Sequence, residues 1–263
     1  MLAYEFMQRA FVVGTVLGII LPCIGLPVLL KRLSMMGDTL AHASLAGVTI
    51  GLCFGFNPLL GSVAACVAAG LSVEVVRARL RDYQEISTVI VLAASIGLAG
   101  LFASFAGGGA TIASYLFGSV VTISDLELWL VLGVALVVLI VYRAIYDRLY
   151  LSVFDPAAAP LLGIRTRALS LMFSLLVAIT VSVAAKTIGS LIVSSLLVIP
   201  SITAMQLART YRGTLIVSIG ISLACTYAGL SLSYYLNLKP GSTIVLLSVA
   251  VLIAVLGIRR GLR

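Results

Sequence analysis

Apolar residues fall along this chain in long blocks, without the period-2 alternation of half-buried strands or the one-sided stripes of soluble helices. The blocks run at about 10–30, 35–55, 59–76, 86–105, 126–145, 168–186, 188–208, 214–235 and 242–258. Most approach the roughly 20 residues a helix needs to cross a hydrocarbon core. The fifth and ninth are nearly unbroken, as in Leu128–Val141 and Ile244–Leu256. The second is weaker, because Asp38 and His42 sit in its first turns. The sixth and seventh are separated only by Lys186 and a turn around Gly189. The pattern predicts an all-α, polytopic membrane protein of eight or nine segments, a single transmembrane domain over residues 1–263. Glu5 and Arg9 precede an apolar stretch that runs on past Leu21, so no cleaved leader is expected.

Two connections stand apart. Phe105–Asp125 holds Gly107-Gly108-Gly109 and Tyr115-Leu116-Phe117-Gly118. It is too short and broken for an ordinary span, and a re-entrant or half-helical element buried against protein is expected there. The second, residues 146–167, is polar-flanked, with Asp147, Arg148, Asp155, Pro156, Pro160, Arg165 and Arg167. A short surface helix is expected around Ala157-Ala158-Ala159.

Composition agrees with the pattern: 62% of residues are hydrophobic and 10% charged, where a soluble domain carries about 25% charged residues. Mean hydropathy is +1.22. The charge distribution then orients the array. Lys31, Arg32, Arg77, Arg79, Arg81, Arg143, Arg148, Arg165, Arg167, Arg209, Arg212, Arg259, Arg260 and Arg263 all fall on one side if nine segments alternate from an external N-terminus. Only Arg9, Lys186 and Lys239 fall near the other face. This is the positive-inside pattern, and it favours nine segments, N-terminus outside and C-terminus cytoplasmic. The net charge of +8 then reflects topology and anionic lipid, with no nucleic-acid role.

The sharpest candidate chemistry is Gly37-Asp38-Thr39-Leu40-Ala41-His42-Ala43-Ser44. In a helix Asp38 and His42 are four apart and share a face. Together they offer oxygen and nitrogen donors suited to Zn²⁺, Mn²⁺ or Fe²⁺, and both are costly in hydrocarbon unless they face protein or an aqueous path. A structural Asp–His hydrogen bond, with Asp38 helping to cap the helix start, explains the pair equally well on the residues alone. Small-residue faces at Gly14/Gly18 and Gly47/Gly51, and Gly97 near Gly100, suit close helix packing. Pro22, Pro27 and Pro200 are expected to interrupt their segments. Cys23, Cys53, Cys66 and Cys225 are scattered singly, as packing residues are. No His-Glu-x-x-His, nucleophile-elbow or phosphate-loop motif is present, so no enzymatic activity is expected of the chain.

Ser34-Met35-Met36-Gly37-Asp38-Thr39-Leu40-Ala41-His42-Ala43-Ser44-Leu45-Ala46-Gly47 closely resembles the second-helix motif of the zinc, manganese and iron uptake permeases, bacterial ABC importers. Four further matches occur in order: Tyr115-Leu116-Phe117-Gly118-Ser119 with Asp125; Asp155-Pro156 with Ala159 and Gly163; Lys186 through Gly189 before Leu196-Leu197-Val198-Ile199-Pro200; and Pro240-Gly241-Ser242. The resemblance covers nearly the whole chain. It implies a bacterial cytoplasmic-membrane permease working as a homodimer with two cytoplasmic ATP-binding subunits and an extracytoplasmic metal-binding protein. It assigns Asp38 and His42 as transient contacts for a transported divalent ion, with no tightly bound cofactor. Asp155, Pro156, Ala159 and Gly163 become candidates for ATPase coupling, and Gly47, Gly118 and Pro200 for pathway packing or helix breaking. The wording Ala43-Ser44-Leu45-Ala46-Gly47 leans towards zinc. Ala93-Ala94-Ser95 lacks the histidine of some zinc-type relatives, and Ser201-Ile202-Thr203-Ala204-Met205 departs from the usual late-helix pattern. Two other readings are an ATPase-independent, ion-coupled metal transporter and a non-transporting assembly subunit.

Overall fold

In the computed structural model, which describes residues 5–80, 84–106, 125–236 and 238–261, every described regular element is a helix. In order these are α1 (Glu5–Leu30), α2 (Met36–Phe54), α3 (Pro58–Arg79), α4 (Gln84–Ala106), α5 (Asp125–Phe154), α6 (Ala158–Leu161), α7 (Thr166–Ile188), α8 (Ser190–Leu207), α9 (Tyr211–Leu236) and α10 (Pro240–Gly261). Each of the nine apolar blocks lies on its own helix. Among the described residues seven helices, α1, α3, α4, α5, α7, α9 and α10, are long and apolar enough to cross a membrane. The expected nine is therefore not confirmed. α2 opens on polar residues, and the apolar part of α8 is the shorter Ile192–Leu207. The expected re-entrant element, with Gly118, lies outside the described residues.

Helix boundaries follow local chemistry. Asn57 caps α3, its side chain accepting the Leu59 N–H at 2.9 Å, with Pro58 in the first turn. α5 runs nine residues beyond its apolar block. Nothing in 146–154 breaks a helix, and the chain leaves it just before Pro156. The anticipated polar connection is thus half helix. The prolines do not interrupt their helices as expected: α1 continues through Pro22 and Pro27, and α8 through Pro200. A proline removes one ladder bond, which tightly packed neighbouring helices tolerate.

α1 and α7 form the centre. Of their most apolar stretches 72% and 67% is buried, against 22–33% for the other membrane-length helices, which ring them. α8 joins the two halves, packing on α1, α2, α7, α9 and α10, while α2 is held by α3, α4, α7 and α8. Two crossings have no room for a side chain: a Cβ on Gly25 would run into the Leu197 carbonyl of α8, and one on Gly47 would strike the Gly61 backbone of α3. Gly14 and Gly18 face α9, as the small-residue spacing suggests, but Gly97 and Gly100 meet nothing.

The two ends of the bundle differ in charge. At one, Arg9 pairs with Asp125 at 2.8 Å and Lys186 with Glu127 at 2.7 Å. These are two of the three cations assigned by sequence to the outer face, and carboxylates neutralise both. At the other end the Lys31 ammonium donates to the Ser170 hydroxyl at 3.2 Å and lies 5.4 Å from the Phe173 ring centre. Burial, aided by the Arg77 charge and opposed by Glu74, lowers the pKa of Lys31 to about 8.

Candidate metal-contact site

From Met36 to Thr49 every residue of α2 is buried except Asp38 and His42. Over this stretch the helix therefore presents one narrow accessible strip, formed by its carboxylate and its imidazole at the i, i+4 spacing. Small polar groups hold the strip in place. The Thr39 hydroxyl, 2.8 Å from the Met35 carbonyl, also reaches the Thr88 carbonyl of α4 at 3.0 Å. Ser44 bonds Ser62 of α3 at 2.7 Å, and the Cys66 thiol of α3 donates to the Leu40 carbonyl at 3.2 Å. The Gly47–Gly61 contact completes the clamp, so Gly47 packs α2 against α3.

Depth follows from the same contacts. Leu40 meets Cys66 and approaches Gly70, both near the middle of α3. The first turns of α2 thus begin inside the bundle and not at its end. Gly37 lies against Ser194 of α8, whose buried hydroxyl has no hydrogen-bond partner among the described residues. This adds an uncommitted oxygen beside the Asp38 turn. Nothing in the pattern of apolar blocks pointed to it.

The hydrogen bond and helix cap expected of a structural pair are not found among the described residues: neither Asp38 nor His42 has a hydrogen-bond or ion-pair partner, and α2 has no side-chain cap. Nor do the described residues contain a cluster of three or more His, Cys, Asp or Glu. One chain brings two strong donors together, fewer than the four to six a transition metal takes.

The coupling candidates form a separate unit beyond the Lys31 end. The Asp155 carboxylate accepts the Ala158 N–H at 2.9 Å and so starts α6. Ala159 is fully buried, anchoring the turn, and Gly163 ends it at φ +76°, where glycine is favoured. Pro156 is exposed. Leu161 and Leu162, 87% and 67% exposed, project from this turn; their small contribution to an apolar tally hid them in the sequence. Pro200 is buried inside α8, apart from this unit.

An aromatic stripe connects that turn to the bundle. Tyr142, Tyr146, Tyr150 and Phe154 recur every four residues along α5, and Tyr211 at the start of α9 lies against them. Its ring centre is 5.6 Å from Tyr146, 5.3 Å from Tyr150 and 5.9 Å from Phe154, and its hydroxyl is 3.2 Å from that of Tyr142. α5 and α9 otherwise barely touch. The i, i+4 spacing of the rings was visible in the sequence, but their partner 57 positions after Phe154 was not.

Comparison with known proteins gives a consistent result. The profile of the ABC 3 transport family matches residues 3–259. A "probable metal transport system membrane protein" of Treponema pallidum is 34% identical over 258 residues, spanning 98% of this chain and 97% of that protein. The manganese transport system membrane protein MntC of Listeria monocytogenes is 28% identical over 248 residues, 94% and 89% of the two chains. Among solved structures, PsaBC from Streptococcus pneumoniae in complex with Fab superposes with a TM-score of 0.84 at 21% identity, covering 96% of this chain and 91% of that one. That likeness establishes the fold.

Proposed function

Because this chain belongs to the ABC 3 transport family, we propose that it is the membrane-spanning subunit of an ATP-driven importer for a divalent transition-metal ion. The observation that supports this most is the Asp38–His42 strip: two donors unpartnered among the described residues, on the otherwise buried Met36–Thr49 stretch of α2, level with the middle of α3. Transport sites lie near the bilayer midplane, where irregular helix starts meet a cavity. The carboxylate compensates the ion's charge and the neutral imidazole donates a lone pair. Two side chains per copy make a weak site, which turnover needs, because the ion must leave. Water, the Ser194 hydroxyl and a second copy of the chain complete the shell. Manganese is favoured over the zinc expectation, because a relative is named for manganese transport. Uptake of labelled Mn²⁺ challenged with Zn²⁺ and Fe²⁺ tests this, and displacement by Zn²⁺ alone would reverse it.

In this reading nine segments cross a bacterial cytoplasmic membrane, with α2 and α8 as the short, protein-lined pair and the N-terminus outside. An external metal-binding protein delivers the ion to the dimer. Two cytoplasmic ATP-binding subunits dock on the turn built by Asp155, Pro156, Ala159 and Gly163, with Leu161 and Leu162 as apolar anchors. Replacing both leucines by Asp should cut co-purification of the ATPase at least ~10-fold, as for loss of a buried interface anchor. Metal contact at Asp38 should be unaffected. An unchanged ATPase yield would remove the turn from the interface.

Tyr211 lies on the route from this turn to α9. Displacement of the α5 end reaches α9 through its ring and hydroxyl, and α9 packs on α1, α8 and α10. Tyr211→Ala should therefore leave ATP hydrolysis near normal while metal uptake falls about 10-fold, the scale of one lost coupling contact. Tyr211→Phe, which keeps the ring, should retain most uptake. Equal losses of hydrolysis and uptake would assign Tyr211 to assembly instead.

A further inference from the structure

The first turns of α7 are flanked by two basic cavities of different character. One, about 250 Å³, lies towards α3 and holds Arg77 and Arg167 together with Glu74, which is 3.7 Å from Arg77. The other, about 420 Å³, lies towards α5 and holds Arg148 and Arg165, with Ile164, Leu169 and Met172 in its apolar wall and Leu162 and Gly163 of the proposed docking turn at its edge. No carboxylate lines it, and neither guanidinium has an ion-pair partner among the described residues. The first cavity supplies its own counter-charge. The second carries two exposed guanidiniums and no carboxylate of its own.

Arg148 is 148 − 125 = 23 residues beyond Asp125 on α5, about 35 Å along a straight helix. Asp125 lies at the opposite polar end, paired with Arg9. A hydrocarbon core is about 30 Å thick, so Arg148 falls at headgroup depth. Above it on α5, Ala144, Ile140 and Val137 are exposed on the same side of the helix, an apolar track suited to an acyl chain.

We propose that this cavity binds the phosphate of an anionic phospholipid, with Arg148 and Arg165 as the phosphate-binding pair and the α5 face as the seat for its chain. Guanidiniums suit phosphate oxygens through paired N–H donors, and basic pockets at this depth between membrane helices recognise such headgroups. The inference requires only that the bundle spans a membrane, and it stands or falls independently of metal transport.

The test is native mass spectrometry of the full chain extracted from membranes containing phosphatidylglycerol and cardiolipin. The unaltered chain should retain an anionic lipid. Arg148→Gln with Arg165→Gln should lower retention about 30-fold, the effect of two interfacial cations. Arg143→Gln, exposed on α5 outside the cavity, and Arg167→Gln, in the Glu74 cavity, should retain it. Added inorganic phosphate should not displace the lipid, because it lacks the chain. Equal retention by the double variant would overturn the proposal. So would displacement by free phosphate, or loss of ATPase co-purification with lipid retention intact, which would give the surface to a protein partner.

Discussion

Asp38→Ala is expected to reduce metal uptake about 100-fold or more, because even at an effective dielectric near 20 a carboxylate beside a divalent ion contributes several kcal/mol. His42→Ala removes a donor without removing charge, so a smaller loss of roughly 10- to 100-fold is expected, the range seen when a metal shell is weakened. Asp38→Asn keeps the shape and should behave like Ala, which separates charge from packing. Neither side chain is hydrogen-bonded among the described residues, so folding should change by no more than about 0.5 kcal/mol. Labelled Mn²⁺ uptake, read beside thermal unfolding in detergent, measures both. Normal transport by both Ala variants would remove these residues from the pathway, whatever the family.

Gly25→Ala should be the most damaging single change to the fold. The added methyl group would enter the Leu197 carbonyl, with the Leu197 carbonyl carbon only 2.8 Å away, so relief requires α1 and α8 to separate. Backbone cannot turn aside as a side chain can, and the cost should reach the upper end of overpacking, about 3 kcal/mol or more. α8 also supports Gly37 through Ser194, so the disturbance would reach the first turn of α2. Gly97→Ala is the matched control: it meets open space and should be neutral or slightly stabilising, since Ala is the better helix former. Thermal midpoints and monodisperse yield of the two variants compare directly. Equal stability would mean that the α1–α8 crossing is looser than its geometry indicates.

Much of this architecture was legible in the chain, because a bilayer forces apolar side chains and satisfied backbone into the same blocks. All nine blocks became helices, and the short helix beside Ala157 formed at Ala158–Leu161. The limits of that legibility are also physical. Hydropathy averages over a window, so it registered Asp38 and His42 as a weakness in the second block. It could not show that their helix starts within the bundle. Proline reads locally as a breaker, yet Pro22, Pro27 and Pro200 sit inside packed helices. Gly25 carried no spacing signal, since its importance comes from Leu197, 172 positions later. Gly97 and Gly100 had such a signal and use none of it. For the site, the Asp38/His42 spacing sufficed to place both donors on one face, whereas Ser194 and Tyr211 depend on contacts between distant segments.

The proposed function is ATP-driven movement of a metal ion past the Asp38–His42 strip. Its most direct measurement is Mn²⁺ uptake into proteoliposomes holding this chain, its ATPase partner and the external binding protein, with the chain alone in parallel. Uptake should require ATP and the ATPase, and should fall to background when Asp38 and His42 are both replaced by Ala. Uptake by the chain alone, or undiminished uptake by the double variant, would contradict it.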